Sequence, residues 1–412
     1  MRETGSMPDV HKLVFATRRA PYPLDNGARI RANRLLSGLS GAFDTSLITF
    51  EHHPESPDGH CGREQLEELF PEIEVVTVPG LGAGKRGAQL RSLLSARSFE
   101  VGRYRLQAFA DALNQLVERR RPSLIHFDDL GVGQFAPVGR GISVLSTHNV
   151  DHRIVREGAR ASSGSRRLYG EAEWRKLRYE EVRMWRRVPL CLAVSELDAD
   201  TMRGAGARRV ELCPNGTDPV VLPPLAPRGA NEPLRLLFVG SGAFQPYERG
   251  LAWLVREVLP RLRETLPVAF DVVGQSPSRP LRAPGVEYVG RVASVAPWYQ
   301  RAHVVVVPVF EGSGTRLKII EALAYGRPVV STRLGAEGLP IESGRHYLEA
   351  EDAGDFARAL IDVARWYEQP AARLERRLAE ARAAIEPLLW PNILSRLIDL
   401  YHREIALARD RR

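Results

Sequence analysis

Two successive sets of short, β-branched apolar runs, each run followed by a stretch of helical period, constrain this chain more than any other feature. The first set is Leu13–Ala16, Ser46–Phe50, Val75–Val78, Ser123–Phe127, Ser143–Ser146 and Leu190–Val194. The second is Leu236–Val239, Phe270–Val273, Val286–Val289, His303–Val307 and Pro328–Ser331. Apolar runs without polar alternation fit strands buried on both faces, and strands that alternate with helices build parallel sheets covered by helices. Each set suffices for one doubly wound sheet. Between them lie Pro214–Pro219 and Pro223–Gly229, rich in Pro and Gly and suited to a linker, which puts a domain boundary near Asn215.

Composition matters here chiefly for what it excludes. At 412 residues the chain is long enough for two cores, and no apolar stretch approaches the ~18 residues of a membrane span. The opening Met1–Ser6 lacks the apolar centre of a signal peptide, and Cys61, Cys191 and Cys213 show neither paired spacing nor an even number. Reduced thiols and a cytoplasmic protein are expected, with no metal site and no nucleic-acid partner. Asp198 and Asp200 follow Ser195 at a helix start, where acids suit the helix dipole, so they are not read as metal ligands. No GxxxxGK[ST] phosphate loop occurs.

Two helix starts carry cations that a helix N-terminus disfavours by about 0.3–1 kcal/mol each. In Gly312-Ser313-Gly314-Thr315-Arg316-Leu317-Lys318, which follows the strand His303–Val307, a helix is expected to open near Gly314 or Thr315 with Arg316 and Lys318 in its first turn. Glycines that allow close approach, free N–H groups and two cations together suit a phosphate. The other start follows Asp25-Asn26-Gly27. There Ala28, Ala32, Leu35, Leu36 and Leu39 form one apolar face, and Arg29 and Arg31 sit near its beginning. Both loops follow strands at the end where open α/β sheets bind ligands. In the first, Gly27 lets a phosphate or sugar come close.

A third feature is charge. The segment 153–187 holds eleven Lys/Arg against five Glu, interleaved with Tyr169, Trp174, Tyr179 and Trp185. Such a segment can rest on an anionic membrane surface or meet a polyanion. Alternatively, it is a solvated helix whose Glu171, Glu173, Glu180 and Glu181 pair with neighbouring arginines.

The succession Phe238-Val239-Gly240-Ser241, Val272-Val273-Gly274, Val286 to Val292, Gly312 to Ala322 and Gly326 to Thr332 resembles the donor domain of retaining glycosyltransferases of family 4, which have the GT-B fold. The Gly27 loop, Thr147-His148-Asn149 and Val194-Ser195-Glu196 have counterparts in that family's first domain, and Trp390 to Tyr401 resembles its C-terminal helix. The resemblance implies two Rossmann-like, doubly wound parallel-sheet domains facing across a cleft: an acceptor-binding domain over 1–215, a donor-binding domain over 216–386, and a helix over 387–412 that crosses back. It implies transfer of a hexose-type sugar from a nucleotide diphosphate sugar to the hydroxyl of a glycan, lipid or small-molecule acceptor, with retained anomeric configuration and no cofactor. A nucleotide-sugar epimerase of the same fold and a non-catalytic basic adaptor are the alternatives.

By the same resemblance Arg316 and Lys318 hold the diphosphate, Glu321 takes the ribose hydroxyls, and His148 touches the donor sugar. Gly240, Gly312, Ser313, Gly314 and Thr315 line the donor, with Gly27 on the opposite side. Two departures stand out. Many members carry two glutamates with seven residues between them; counted back from Glu321 that place holds Ser313, with Glu311 two residues too early. Either a two-residue insertion brings Glu311 into the role or, as is expected here, a Gly/Ser-rich loop replaces the first glutamate. Arg249-Gly250 only approximates the usual glycine-lysine element. A protein of this kind is expected in the cytoplasm, including the inner face of the membrane.

Overall fold

The computed structural model describes residues 10–410 apart from 25, 52–61, 81–84, 140, 223–227, 230–231, 278, 313 and 315. The chain divides into two compact units, residues 1–214 with 393–412, and residues 215–392.

In unit 1 the strands are β1 (Lys12–Thr17), β2 (Asp44–Phe50), β3 (Glu74–Val78), β4 (Leu124–Phe127), β5 (Ile142–Ser146), β6 (Leu190–Ala193) and β7 (Val210–Leu212). They form one sheet in the order β3-β2-β1-β4-β5-β6-β7, parallel throughout. Unit 2 contains β8 (Leu234–Val239), β9 (Val268–Val273), β10 (Val286–Gly290), β11 (Val304–Val307), β12 (Val329–Ser331) and β13 (Leu348–Glu349). Their order is β10-β9-β8-β11-β12-β13, again parallel. Both sheets are thus doubly wound: the chain builds outward from a first strand, then returns to that strand's other side. The direction reverses between β1 and β4 in unit 1 and between β8 and β11 in unit 2.

Why the runs are wholly apolar follows from their packing. Successive side chains of a strand point to opposite faces. Val304 and Val306 join a core with Phe238, Phe270 and Phe356, whereas Val305 and Val307 join another with Leu237, Ile319 and Ile320. All four valines are wholly buried. Burying each such side chain contributes about 1.5–3 kcal/mol, so a charge at any of the four would break the strand.

The last helix, Trp390–Asp410, buries Ile393, Leu397, Leu400, Tyr401 and Ile405, a stripe at helical spacing. It lies so close to the helix α1 (Gly27–Ser40) that a Cβ at Gly38 would stand 2.4 Å from Leu394. Any larger residue at Gly38 pushes this helix away.

Candidate functional site

In unit 2 the loop after β11 leads into the helix α2 (Leu317–Ala324), whose apolar face Ile319, Ile320 and Leu323 packs under the sheet. The expected opening at Gly314 or Thr315 is corrected: the helix begins at Leu317 and Arg316 is its N-cap. The cause is the loop backbone. Gly312 and Gly314 have φ of +94° and +96°, a region that favours glycine, and the Arg316 guanidinium folds back to donate to both their carbonyls. Arg316 therefore braces the loop, and of the two cations only Lys318 stands in the first turn. Ser313 and Thr315 lie outside the described residues.

Lys318 is 5% exposed, with its Nζ 3.7 Å from the centre of the Phe238 ring and 3.6 Å from that of Tyr247. Nζ has no hydrogen-bond partner among the described residues. Burial, reinforced by the charge of Arg316, pushes its pKa well below the ordinary lysine value. Gly240 closes the space on the other side, since a Cβ there would sit 2.8 Å from Nζ. Gly274 in turn allows Gly240 to approach, because a Cβ at Gly274 would stand 2.2 Å from the Gly240 carbonyl oxygen. The arrangement is a buried amine at the start of a helix, without a hydrogen-bond partner among the described residues.

One turn along α2, Glu321 accepts a hydrogen bond of 2.7 Å from the Tyr299 hydroxyl, and the Tyr299 ring stacks on Tyr325 at 4.8 Å. Burial raises the Glu321 carboxyl above its usual range, while Tyr299 and Lys318 oppose the shift. Glu311 is elsewhere engaged: both its oxygens lie 3.0 Å from Arg249 Nη1. Gly250 lets that helix press on the loop, for a Cβ there would meet the Pro308 carbonyl oxygen at 1.8 Å.

In unit 1 Gly27 is the first residue of α1, and the Asn26 side chain caps the helix by accepting from the Arg29 amide at 3.1 Å. Arg31 is buried and donates to the carbonyls of Pro214 and Cys213 at 2.8 and 2.7 Å, so it fastens α1 to the end of β7. His148 follows β5, with Nε2 3.1 Å from Asp128 Oδ1. Asp128 ends β4 and is wholly buried. Next to it Asp129 has φ +150° and ψ 177°, and its carboxylate pairs with Arg18 Nε at 2.7 Å.

Sequence reasoning missed Arg18, Asp128, Asp129, Tyr247 and Tyr299. The first three sit just past the carboxyl ends of β1 and β4, so the switch-point rule applied to every strand end would have found them.

The basic segment forms two helices, Asp151–Arg160 and Gly164–Arg187. The expected surface pairing is corrected for three of its four glutamates. Glu171 does pair with Arg175 at 2.6 Å. Glu173 turns inward to Lys176 and the Phe99 amide, Glu180 to Ser98, and Glu181 to His152 and the amides of Asp151 and His152. Consequently Arg178, Arg183, Arg186 and Arg187 remain outside without a carboxylate partner among the described residues. With Trp174 and Tyr179 they line a groove of about 800 Å³.

Asp198 closes a cap with Ser195 and Asp200 pairs with Arg203, and among the described residues no three His, Cys, Asp or Glu side chains gather as a metal site. No helix among the described residues is long and apolar enough to cross a membrane.

Residues 233–365, which carry the Lys318 site, match the family described as glycosyl transferases group 1. The D-inositol 3-phosphate glycosyltransferase of Pseudarthrobacter chlorophenolicus is 34% identical over 137 residues, 33% of this chain and 29% of that relative. The chain thus matches less than a third of that relative's length. Over nearly the whole chain the similarity is structural. Sucrose-phosphate synthase from Thermosynechococcus elongatus superposes with a TM-score of 0.67 at 17% identity, over 96% of this chain and 100% of that one.

The fold is GT-B.

Anabaena Alr3699/HepE, solved in complex with UDP and glucose, has a TM-score of 0.61 at 15% identity over 95% and 99% of the two chains. Within this GT-B chain the match to the glycosyl transferases group 1 family falls on unit 2, where the glycines and Lys318 lie. Unit 1 is related through the fold.

Proposed function

We propose that this GT-B protein is a retaining glycosyltransferase that moves a hexose-type sugar from a nucleotide diphosphate sugar to an acceptor hydroxyl without a bound metal. The observation that carries the reading is the buried Lys318 Nζ, which has no hydrogen-bond partner among the described residues and stands at a helix N-terminus beside Gly240. A diphosphate supplies what that group lacks. A charge-assisted hydrogen bond of this kind contributes about 1.5–3 kcal/mol. Arg316 occupies the carbonyls of Gly312 and Gly314, so the loop offers the phosphate its N–H groups. Glu321, steadied by Tyr299, takes the ribose hydroxyls.

In the reaction the bond between the anomeric carbon and the diphosphate oxygen breaks through an oxocarbenium-like transition state. The acceptor oxygen bonds to the same face of that carbon, and its proton passes to the departing diphosphate. Lys318 and the helix start stabilise the charge that develops on the leaving group, which is the term that lowers the barrier most in such sites. Unit 1 takes the acceptor, with His148 touching the reacting sugar. Arg178, Arg183 and Arg187, which have no carboxylate partner among the described residues, suit an acceptor presented at the anionic inner face of a membrane.

The test is a thermal-stabilisation screen of UDP-, GDP- and other activated sugars, starting from UDP-glucose because the structural relative from Anabaena holds UDP and glucose. A ligand at 100 times its Kd stabilises by about 2.7 kcal/mol. At least one nucleotide diphosphate sugar should stabilise the protein and be turned over. Stabilisation by none would remove the reading, and binding without transfer to any hydroxyl would favour the epimerase.

A further inference from the structure

We propose that Asp128 is the positioning residue of the unit 1 site: it fixes His148 in the tautomer that offers Nδ1 to a substrate hydroxyl. The inference rests on the reading that a substrate reaches His148, and deepens it by naming what sets that residue's chemistry. The backbone amide of Asp128 donates to the Ala16 carbonyl at 2.8 Å, so the carboxylate is delivered by β4 to the point where the winding of the sheet reverses.

Four side chains lie in sequence there. The Tyr401 hydroxyl is 2.5 Å from His126 Nδ1, His126 Nε2 is 3.6 Å from Asp128 Oδ1, and the same oxygen is 3.1 Å from His148 Nε2. Tyr401, His126 and Asp128 are wholly buried, whereas the His148 side chain is 18% exposed.

The direction of the hydrogen bonds follows from the chemistry of the groups. Burial holds Tyr401 as a phenol and keeps His126 neutral. A neutral imidazole has one donor and one acceptor nitrogen. Tyr401 therefore donates to His126 Nδ1, and His126 Nε2–H faces Asp128. Asp128 is an acceptor only, which requires His148 to present Nε2–H to it, and in the neutral imidazole this leaves Nδ1 as an acceptor on the one member of the relay that reaches solvent. In the other tautomer His148 would direct a lone pair at the carboxylate.

Two further features mark this strand end as built for a purpose other than stability. Asp128 Oδ2 is buried with no hydrogen-bond partner among the described residues. The next residue, Asp129, occupies backbone space that is almost exclusively glycine's, and is held there by Arg18. Strain of this sort is tolerated where it positions chemistry.

The experiment begins with the unmodified protein. Long-range ¹H–¹⁵N NMR of the histidine rings should show His148 as the Nε2–H tautomer; the Nδ1–H form would overturn the proposal without any variant. Asp128→Asn should then mix or invert the His148 tautomer while leaving UDP affinity, measured by calorimetry, unchanged. Its kcat for transfer should fall about 10–150-fold, the worth of one hydrogen bond to a charged group. An unaltered tautomer or an unaltered kcat in a folded Asp128→Asn protein would refute the positioning role. Failure of the glycosyltransferase reading is distinct, because it appears as absent donor turnover in the unmodified protein whatever the tautomer.

Discussion

Replacing Lys318 by Met separates the stability of unit 2 from its function, and the two should move in opposite directions. In the free protein Lys318 Nζ is buried without a hydrogen-bond partner among the described residues, and an unsatisfied buried polar group costs about 1–3 kcal/mol. The rings of Phe238 and Tyr247 return about 0.5–2 kcal/mol by cation–π attraction, but only while the amine is charged, and burial lowers its pKa. Methionine fits the same slot, keeps about 0.3–1.5 kcal/mol of sulfur–aromatic contact, and carries no polar group. The free variant should therefore unfold in urea with a ΔG higher by about 1 kcal/mol. Its affinity for UDP should fall about 10–150-fold, the equivalent of 1.5–3 kcal/mol. The same lysine ties binding to protons. A diphosphate favours the ammonium, so UDP binding should take up protons, visible in calorimetry as a dependence on the ionisation enthalpy of the buffer. For stability the sign is fixed by the lowered pKa: between the folded and unfolded values the unfolded state holds more protons, and stability rises with pH across that window. Lys318→Met should flatten that rise. A free variant less stable than the parent, UDP binding of unchanged strength, or proton release on binding would refute the reasoning.

Glu321→Gln keeps an acceptor for Tyr299 but removes the charge, and should weaken UDP about 5–10-fold, the difference between a charged and a neutral hydrogen bond; equal affinity would mean that this residue does not hold the ribose. Transfer should continue in excess EDTA, and a loss restored by Mg²⁺ or Mn²⁺ would assign the leaving-group charge to a metal. Reversing Arg178, Arg183 and Arg187 to Glu should abolish binding to anionic vesicles and spare donor hydrolysis, since each cation near such a surface contributes about 1 kcal/mol within a Debye length of about 8 Å. Added salt should reproduce that effect in the unmodified protein, and an unmodified protein that binds no vesicles at any salt would exclude membrane docking.

Much of the fold was legible because its strands are buried on both faces. Val304–Val307 can be little else than the centre of a parallel sheet. β7 and β13 escaped notice because three and two residues at a sheet edge carry no periodicity, and Leu212 of β7 is exposed. The start of α2 was misjudged for a different reason. Local capping signals favoured Gly314 or Thr315, but the positive φ of two glycines and the return of the Arg316 side chain to their carbonyls decide where the helix begins. That Lys318 is a first-turn cation was visible; that it is buried between Phe238 and Tyr247, eighty and seventy-one residues away in sequence, was not. Asp128 and His148 meet only because β4 and β5 are neighbours. The inward glutamates were within reach: Glu173, Leu177, Glu180, Glu181 and Met184 share one helical face, and acids on an apolar face are there to be satisfied internally.

Among the described residues each unit keeps a buried polar atom without a hydrogen-bond partner near the switch point of its sheet, and the sign of that group suits a different ligand class in each unit. In unit 2 it is a cation, Lys318 Nζ, whose natural complement is a phosphate. In unit 1 it is a carboxylate, Asp128, whose pull is passed outward through the Nε2–H of His148 and emerges as a lone pair on Nδ1. A lone pair there repels a phosphate oxygen and accepts a hydroxyl hydrogen. Burial by itself would raise the Asp128 carboxyl; the facing His148 and His126 outweigh it and hold the group well below the usual carboxylate range. The Asp128 carboxylate therefore stays charged at neutral pH. On the proposed reading, phosphate and sugar hydroxyl would thus be sorted by electrostatics, and ligation of Lys318 would restore the stability that its unmet Nζ costs the free protein.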